Sequence, residues 1–166
     1  SLLWSRARVR LRGLRFVRRN EQDIPYQKLL HADILASLAR GLALTNNILG
    51  ADCSARFLLT ALSLGEPRRV LEALTMEANF VASVSVKSPY VQRILDVVEA
   101  QKDLCRDFSA DVFVHAAHGY VDYMNGDWQR ARENAKTAFR LWSARPGTFW
   151  ERALMRLQMC WSTFYL

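Results

Sequence analysis

Residues 111–142 have the sequence DVFVHAAHGYVDYMNGDWQRARENAKTAFRLW, and this stretch decides the fold. It predicts two amphipathic helices that are joined by a minimal turn. Gly126 can adopt the left-handed conformation that ends a helix, and Asp127 can cap the first amides of the next one. After the turn, alanines recur at helical spacing, and their small side chains let a partner helix approach closely. A helix pair of this kind cannot bury its apolar face alone, so it predicts neighbours of the same type.

The composition of the whole chain favours helices over strands. Hydrophobic residues make up 51% of the 166 residues and charged residues 23%, which is typical of a globular protein. The chain has only 7 glycines and 4 prolines, and its β-branched residues are scattered rather than alternating. We therefore predict an all-α fold of about seven to eight antiparallel helices, arranged as an α-solenoid or an irregular bundle.

Periodic apolar positions indicate the buried faces of the first two helices. Residues 1–20 are predicted to form a basic N-terminal helix, with an apolar face at Leu3, Ala7, Leu11 and Leu14. A second helix is predicted from residues 23–25 to about Thr45, because a proline suits the first turn of a helix. Its predicted buried stripe consists of Leu30, Ile34, Leu38 and Leu42.

The last helix has the clearest start signal in the sequence. Thr148 and Glu151 have the spacing of a capping box. An apolar seam with the spacing of a coiled coil then follows, made of Trp150, Leu154, Leu157, Trp161 and Phe164. As a core between the last two helices this aromatic cluster needs no function, but we expect its exposed end to dock another repeat or a second copy. A homodimer through this C-terminal aromatic helix is one such assembly.

Several features bear on where the protein works. The longest uncharged run, residues 41–51, falls well short of the roughly 18 residues that a membrane span needs. No secretory signal is visible, and Cys53, Cys105 and Cys160 are predicted to be buried thiols in a reducing compartment, which indicates the cytoplasm. The missing initiator methionine and the uncharged end LQMCWSTFYL indicate a fragment of a longer protein, with one domain over residues 1–166.

The net charge of +7 belongs to one segment. Residues 1–20 contain seven arginines and no acidic residue, and without these arginines the chain has 16 basic and 16 acidic residues. Arg6, Arg8, Arg10 and Arg12 are therefore candidate contacts to a partner. The segment could bind nucleic acid or another anionic partner. Alternatively it could be a solvated helix, or its arginines could pair with acidic residues of an adjoining domain.

A polar stripe runs along the first helix of the 111–142 pair. It consists of Asp111, His115, His118 and Asp122, which share one helical face opposite Val114, Ala117, Val121 and Met124. Three interpretations remain open. The stripe could be a solvated face with local pairs, a groove that recognises a partner, or a zinc site built on the His-x-x-His spacing.

The turn at residues 125–128 resembles a tetratricopeptide repeat (TPR). The repeat-packing positions of this resemblance are Gly119, Gly126, Trp128, Ala131 and Ala138. A longer pattern is similar to the C-terminal helical-repeat region of large bacterial serine/threonine protein kinases that also carry an ATPase module; it comprises RLRGLRF (10–16), DIP (23–25), GADCSARFLLTALSLGEPRRVLEALTMEA (50–78) and GDWQRARENA (126–135). The resemblance implies a TPR-like sensory or scaffolding module. The sequence departs from the repeat pattern in two ways. The glycine turns at positions 65 and 126 are irregularly spaced, and the positions before Gly126 that are large and apolar in the repeat are His115, His118 and Asp122 here.

The sequence contains no signature of catalysis. It lacks a phosphate-binding loop, a glycine-rich kinase loop, a His-Arg-Asp catalytic loop and a nucleophile elbow. We therefore predict no catalytic residue and no cofactor. The expected function is that of a non-catalytic protein-interaction scaffold in a cytoplasmic bacterial signalling protein. Its expected partner is another protein or neighbouring domains of the same chain, in preference to nucleic acid or a membrane.

Overall fold

The computed structural model describes residues 2–104 and 108–166, and this part of the chain contains eight α-helices and no strand. The helices are α1 (Leu2–Arg12), α2 (Tyr26–Leu42), α3 (Asn47–Leu64), α4 (Pro67–Ser85), α5 (Pro89–Leu104), α6 (Phe108–Asn125), α7 (Trp128–Ser143) and α8 (Phe149–Phe164). A 3-10 turn, Glu21–Asp23, precedes α2. The all-α prediction and the predicted number of helices are confirmed.

Local signals in the sequence account for the boundaries of the middle helices. The side chain of Asn46 caps α3 by accepting a hydrogen bond from the amide of Leu49 at 3.1 Å. Gly65 ends α3 in the left-handed conformation, with φ of 74°. Pro67 and Pro89 are the first residues of α4 and α5, where the missing amide hydrogen of proline costs nothing.

The chain divides into two compact units, residues 1–77 and 78–166, and the boundary lies inside α4. In the first unit, α1 and α2 both pack on α3. The interior of this unit is filled by Phe57 and Leu58 of α3 with Val70 and Leu74 of α4, all fully buried. These apolar side chains supply the main driving force for folding of the unit. The prediction of a single domain stays a prediction.

In the second unit, each helix from α5 to α8 packs on the next one, and α6 also contacts α8. Short connections favour contact between helices that follow each other in the chain, and these helices make such contacts. Ile94 and Val98 of α5 and Ala117 of α6 are fully buried in this unit. The three helices α6, α7 and α8 therefore form one packed group.

The basic N-terminal helix is shorter than predicted and buries a different face. It ends at Arg12, because Gly13 adopts a φ of 70° and turns the chain, so the prediction of a helix over residues 1–20 is wrong. Its buried residues are Ser5 and Val9, whereas Leu3 and Leu11 of the predicted apolar face are more than 80% exposed. The buried side of α1 therefore carries Ser5 and the apolar Val9 instead of the predicted leucines. Ser5 donates a hydrogen bond to Asp52 of α3 at 2.7 Å.

The predicted buried stripe of α2 is also wrong. Leu30, Ile34 and Leu38 are between 42% and 49% exposed, and the residues that α2 buries are Leu29, Ala32, Leu35, Ala36 and Ala39. Three of these five are alanines, whose small side chains allow α2 to lie close to α3. The larger stripe is left on the opposite side of the helix.

Two smaller predictions also need correction. The side chain of Thr148 makes no capping bond to α8 and instead donates to the carbonyl oxygens of Trp142 at 2.7 Å and Arg145 at 3.0 Å, so no capping box forms. Cys160 is exposed and Cys53 is half-buried, contrary to the prediction of buried thiols. Cys105 lies outside the described residues.

The segment after α1 crosses the turn between α3 and α4. The amide of Arg19 donates to the carbonyl oxygen of Gly65 at 3.0 Å. A Cβ atom at Gly65 would overlap the carbonyl oxygen of Val17, so only glycine allows this approach.

Among the described residues, no helix combines the length and apolar character that a membrane-spanning segment needs.

Candidate functional site

The turn between α6 and α7 forms as the sequence predicts. Gly126 has a φ of 83° and ends α6, and the side chain of Asp127 accepts a hydrogen bond from the amide of Arg130 at 3.2 Å. The amide of Asp127 donates to the carbonyl oxygen of Asp122 at 3.0 Å. These bonds satisfy backbone groups that both helix ends would otherwise leave open, so the turn fixes the angle between the two helices.

Small residues bring α6, α7 and α8 together. Ala131, Ala135 and Ala138 of α7 are fully buried. Gly119 of α6 faces both neighbours, because a Cβ atom there would lie 3.0 Å from Nε2 of Gln158 in α8 and 3.2 Å from Cβ of Asn134 in α7. Gly119, Ala131 and Ala138 are repeat-packing positions of the TPR resemblance, and the structure places all three at helix contacts.

Aromatic side chains complete this packing at both ends of α7. Trp128 is half-buried and meets Tyr123 of α6 edge to face, with ring centroids 5.3 Å apart. Trp142 meets Phe113 of α6 edge to face at 5.6 Å. Such pairs add to the stabilisation from burial, so they hold α7 against α6 along its length.

Half of the Asp/His stripe bonds to α7. Nδ1 of His115 lies 2.9 Å from Oδ1 of Asn134, and Nδ2 of the same asparagine donates to Oδ2 of Asp122 at 3.0 Å. Asp122 is buried, and burial raises the pKa of its carboxyl group, while Arg130, the bond from Asn134 and His118 act in the opposite direction. Asn134 therefore joins two residues of the stripe to α7.

The other half of the stripe pairs with α5. Oδ1 of Asp111 lies 3.1 Å from Nζ of Lys102, and Nε2 of His118 lies 2.7 Å from Oε1 of Glu99. The four side chains therefore reach to two different neighbouring helices instead of converging. Among the described residues, no group of three or more His, Cys, Asp or Glu side chains could hold a metal ion.

The face opposite the stripe is only partly as expected. Val114 and Ala117 are buried, whereas Val121 and Met124 are half-buried. The side chains of the stripe are half-buried or buried, because α6 packs against both α5 and α7 and each of these helices covers part of the stripe. Of the three interpretations, local pairing describes the observed contacts best, with the pairs formed between helices rather than within α6.

The apolar seam of α8 is the largest feature that the fold leaves uncovered. α8 buries Met155, Gln158 and Ser162 against its neighbours. The seam residues lie beside this buried face and remain substantially exposed: Trp150, Leu154, Leu157, Trp161 and Phe164. Their separations alternate between four and three residues, which places them on one narrow side of the helix.

Aromatic contacts extend the seam at the end of α8. Tyr165 stacks on Trp128 with ring centroids 4.8 Å apart, and it also lies 6.4 Å from Trp161 and 5.4 Å from Phe164. Trp161 and Phe164 meet edge to face at 6.3 Å. The seam is therefore continuous with the aromatic packing of α6 and α7.

The structure separates the four candidate arginines of α1. Arg6 turns inward, pairs with the buried carboxylate of Glu77 and donates to the carbonyl oxygen of Ala51 at 3.0 Å. Burial raises the pKa of Glu77, and the charge of Arg6 opposes this effect. The side chains of Arg8, Arg10 and Arg12 lie on the exposed side of the helix. Arg6 therefore has a structural role inside the first unit, and partner binding by these arginines stays a prediction.

A buried arginine that the sequence did not single out organises the first unit. Nε and Nη2 of Arg69 donate to the two carboxylate oxygens of Asp33 at 2.7 Å each, and Nη1 donates to Glu21 at 2.9 Å and to Glu66 at 3.0 Å. The bond to Asp33 is the main cause of the raised pKa of Arg69. This cluster links the 3-10 turn, α2 and the start of α4.

Comparisons with known proteins identify no relative. The chain matches no protein-family model, and neither the curated proteins nor the solved structures with which it was compared give a match.

Proposed function

We propose that this chain is a non-catalytic protein-interaction module and that the seam of α8 is its binding surface. One observation carries the proposal: five large apolar side chains with coiled-coil spacing lie exposed on a helix whose other side is already packed. Contiguous apolar surface of this kind is a common mark of an interaction site. The alternating spacing favours another helix as the occupant of the seam.

The occupant that the chain itself supplies is a second copy. The seam offers on the order of 500 Å² of apolar surface. This estimate counts about 150–250 Å² for each of the three aromatic side chains, adds the two leucines, and takes all five as roughly half exposed. Two copies together would bury about 1,000 Å², which is the lower end of specific interfaces. The positions next to the seam include Ala153 and Cys160, neither of which is an acidic or a basic residue that would repel a second seam.

Thiol alkylation tests this docking because Cys160 is exposed beside the seam and Cys53 is half-buried in the other unit. We expect the rate of alkylation of Cys160 by N-ethylmaleimide to fall several-fold as protein concentration rises, since docking covers the thiol. Peptide mass spectrometry would report the ratio of Cys160 to Cys53 modification, and Cys53 would serve as the internal reference.

Two variants complete this experiment. Leu157→Glu places a charge in the middle of the seam and should make the rate at Cys160 independent of concentration. Thr163→Glu adds the same charge to an exposed position outside the seam and should behave like the unmodified protein. A rate at Cys160 that does not change with concentration in the unmodified protein would contradict docking of a second copy.

The setting of the module is part of the proposal. Its TPR-like character, its bacterial origin and its association with a serine/threonine kinase are supported by the sequence resemblance alone. The absence of catalytic motifs from the sequence supports a non-catalytic role, and the half-buried and exposed thiols are compatible with the proposed reducing cytoplasm. Sequencing of the gene on both sides of this region tests the association, because a kinase or ATPase motif beside it is expected.

A second candidate function is nucleic-acid binding through the N-terminal arginines. The exposure of Arg8, Arg10 and Arg12 favours it. Phosphate contacts release counterions, so binding to generic duplex DNA should weaken steeply as salt is raised. If DNA does not bind at low salt, this candidate is excluded.

A further inference from the structure

Three arginines surround a shallow cleft in the first unit. The cleft has a volume of about 490 Å³ and is lined by Arg12, Arg15, Phe16, Val17, Arg19, Leu62 and Ser63. None of these described lining residues carries a carboxylate. Three cations with no acid among them create a local positive potential that favours an anion.

The backbone of residues 13–19 builds this cleft. Gly13 turns the chain after α1 with a φ of 70°, and the bond from the Arg19 amide to Gly65 holds the far end of the segment against the turn after α3. Arg15 and Arg19 are thereby brought to the same opening as Arg12, beside Leu62 and Ser63 of α3. In the sequence these arginines lie at least 44 residues before Ser63, so folding rather than local spacing creates the site.

Arg12 is oriented by the backbone that it faces. Its Nη1 atom donates to the carbonyl oxygens of Gly13 at 3.1 Å and of Arg15 at 3.0 Å. Its guanidinium has further N–H donors on Nε and Nη2, and a fork of this shape suits a phosphate or carboxylate group. Burial lowers the pKa of the Arg12 guanidinium. Among the described residues no carboxylate opposes this effect, in contrast to Arg69, where the hydrogen bond to Asp33 raises the pKa.

The floor of the cleft is apolar. Leu62 is buried and Phe16 is half-buried, and both line the opening beside the arginines. An aromatic ring next to cations can contact a flat or apolar part of a ligand, while the arginines hold its charge. The cleft thus combines the two kinds of contact that a small organic anion needs.

We propose that this cleft binds the phosphate group of a small phosphorylated molecule, with Arg12, Arg15 and Arg19 holding the phosphate and Phe16 and Leu62 contacting the rest of the ligand. The site is separate from the seam of α8. It also differs from the nucleic-acid candidate, because it depends on the arginines of the cleft and not on the summed charge of α1.

Calorimetric titration of the whole chain tests this proposal with three probes. Inorganic pyrophosphate presents the charge alone, adenosine diphosphate adds a nucleoside, and phosphotyrosine adds the ring of a modified side chain. We expect saturable binding of pyrophosphate and tighter binding of at least one of the two organic probes. The tighter of the two indicates whether the ligand is a nucleotide or a phosphorylated side chain.

Arg15→Gln and Arg8→Gln form a matched pair, because both remove one exposed positive charge and only Arg15 lines the cleft. We expect Arg15→Gln to weaken pyrophosphate binding about fivefold or more, and Arg8→Gln to leave it within about twofold. Equal weakening by the two variants would overturn the proposal in favour of diffuse charge attraction. The absence of saturable binding by all three probes at low salt would also overturn it.

Discussion

At the scale of single residues, Gly65 controls the approach of two chain segments. It has a φ of 74°, and a Cβ atom there would overlap the carbonyl oxygen of Val17. We expect Gly65→Ala to lower the free energy of unfolding by about 2 kcal/mol or more, because the left-handed conformation is strained for alanine and the crossing segment must move. Urea denaturation measures this change. Faster hydrogen exchange at the Arg19 amide, which bonds to Gly65, should accompany it.

Gly41 provides the control for this substitution. It lies near the end of α2, and a Cβ atom there would meet nothing within 4 Å. We expect Gly41→Ala to raise the free energy of unfolding by about 0.5 kcal/mol, since alanine favours the helix more than glycine does. Similar effects of the two substitutions would contradict the close approach at Gly65.

The buried carboxyl group of Asp122 makes stability depend on pH. Burial raises its pKa above the usual value near 3.8 in spite of Arg130, Asn134 and His118. The folded protein therefore retains a proton that the unfolded chain loses as pH rises above about 4, so this group reduces stability with rising pH. We expect Asp122→Asn, which cannot titrate, to gain stability relative to the unmodified protein between pH 3.5 and pH 7.

Thermal unfolding of both proteins at a series of pH values measures this difference. His118→Gln is a useful companion variant, because it removes a nearby group that lowers the pKa of Asp122 but keeps the carboxylate. A constant difference in melting temperature between Asp122→Asn and the unmodified protein would show that the pKa of Asp122 is not raised by folding.

At the scale of helices, alanines mark the packed side and larger apolar residues can lie outside. Ala135 of α7 is fully buried, whereas Leu157 of α8 is 53% exposed. We expect Ala135→Leu to lower the free energy of unfolding by about 1–3 kcal/mol, because the extra carbons do not fit between α6 and α7. Leu157→Glu should change the stability of the monomer by no more than about 0.5 kcal/mol.

Urea denaturation of dilute protein measures both effects, since dilution removes any contribution from association. Met155→Glu is the control on α8, because Met155 is buried on the same helix and its replacement should be strongly destabilising. If Leu157→Glu destabilises as much as Met155→Glu, the seam belongs to the core rather than to the surface.

The difference between packed alanines and exposed larger residues explains which buried faces the sequence could predict. In α7 the spacing of Ala131, Ala135 and Ala138 identifies the buried side, and the structure confirms it. In α2 the leucines and the isoleucine at positions 30, 34 and 38 suggested the wrong side, because alanines pack closer to α3. Hydrophobic periodicity locates the apolar faces of a helix. When a helix has two such faces, only the helices packed against it determine which face is buried.

At the scale of the whole chain, the local features of the candidate sites were predictable and their distant partners were not. The turn at Gly126 and the seam of α8 can be read from short stretches. The partners of Arg69 lie 36 residues away at Asp33 and 48 residues away at Glu21. No periodicity connects such positions, so the buried cluster and the arginine cleft appear only once the helices are packed.

Sedimentation equilibrium tests the central claim, that the seam of α8 is a surface for docking, most directly. The unmodified protein and Thr163→Glu should both show a monomer–dimer equilibrium with dissociation constants that agree within about threefold. Leu157→Glu should weaken the dimer about tenfold or more, because it places a charge at the centre of the apolar interface. Equal association of all three proteins, or purely monomeric behaviour of all three up to high concentration, would contradict the claim.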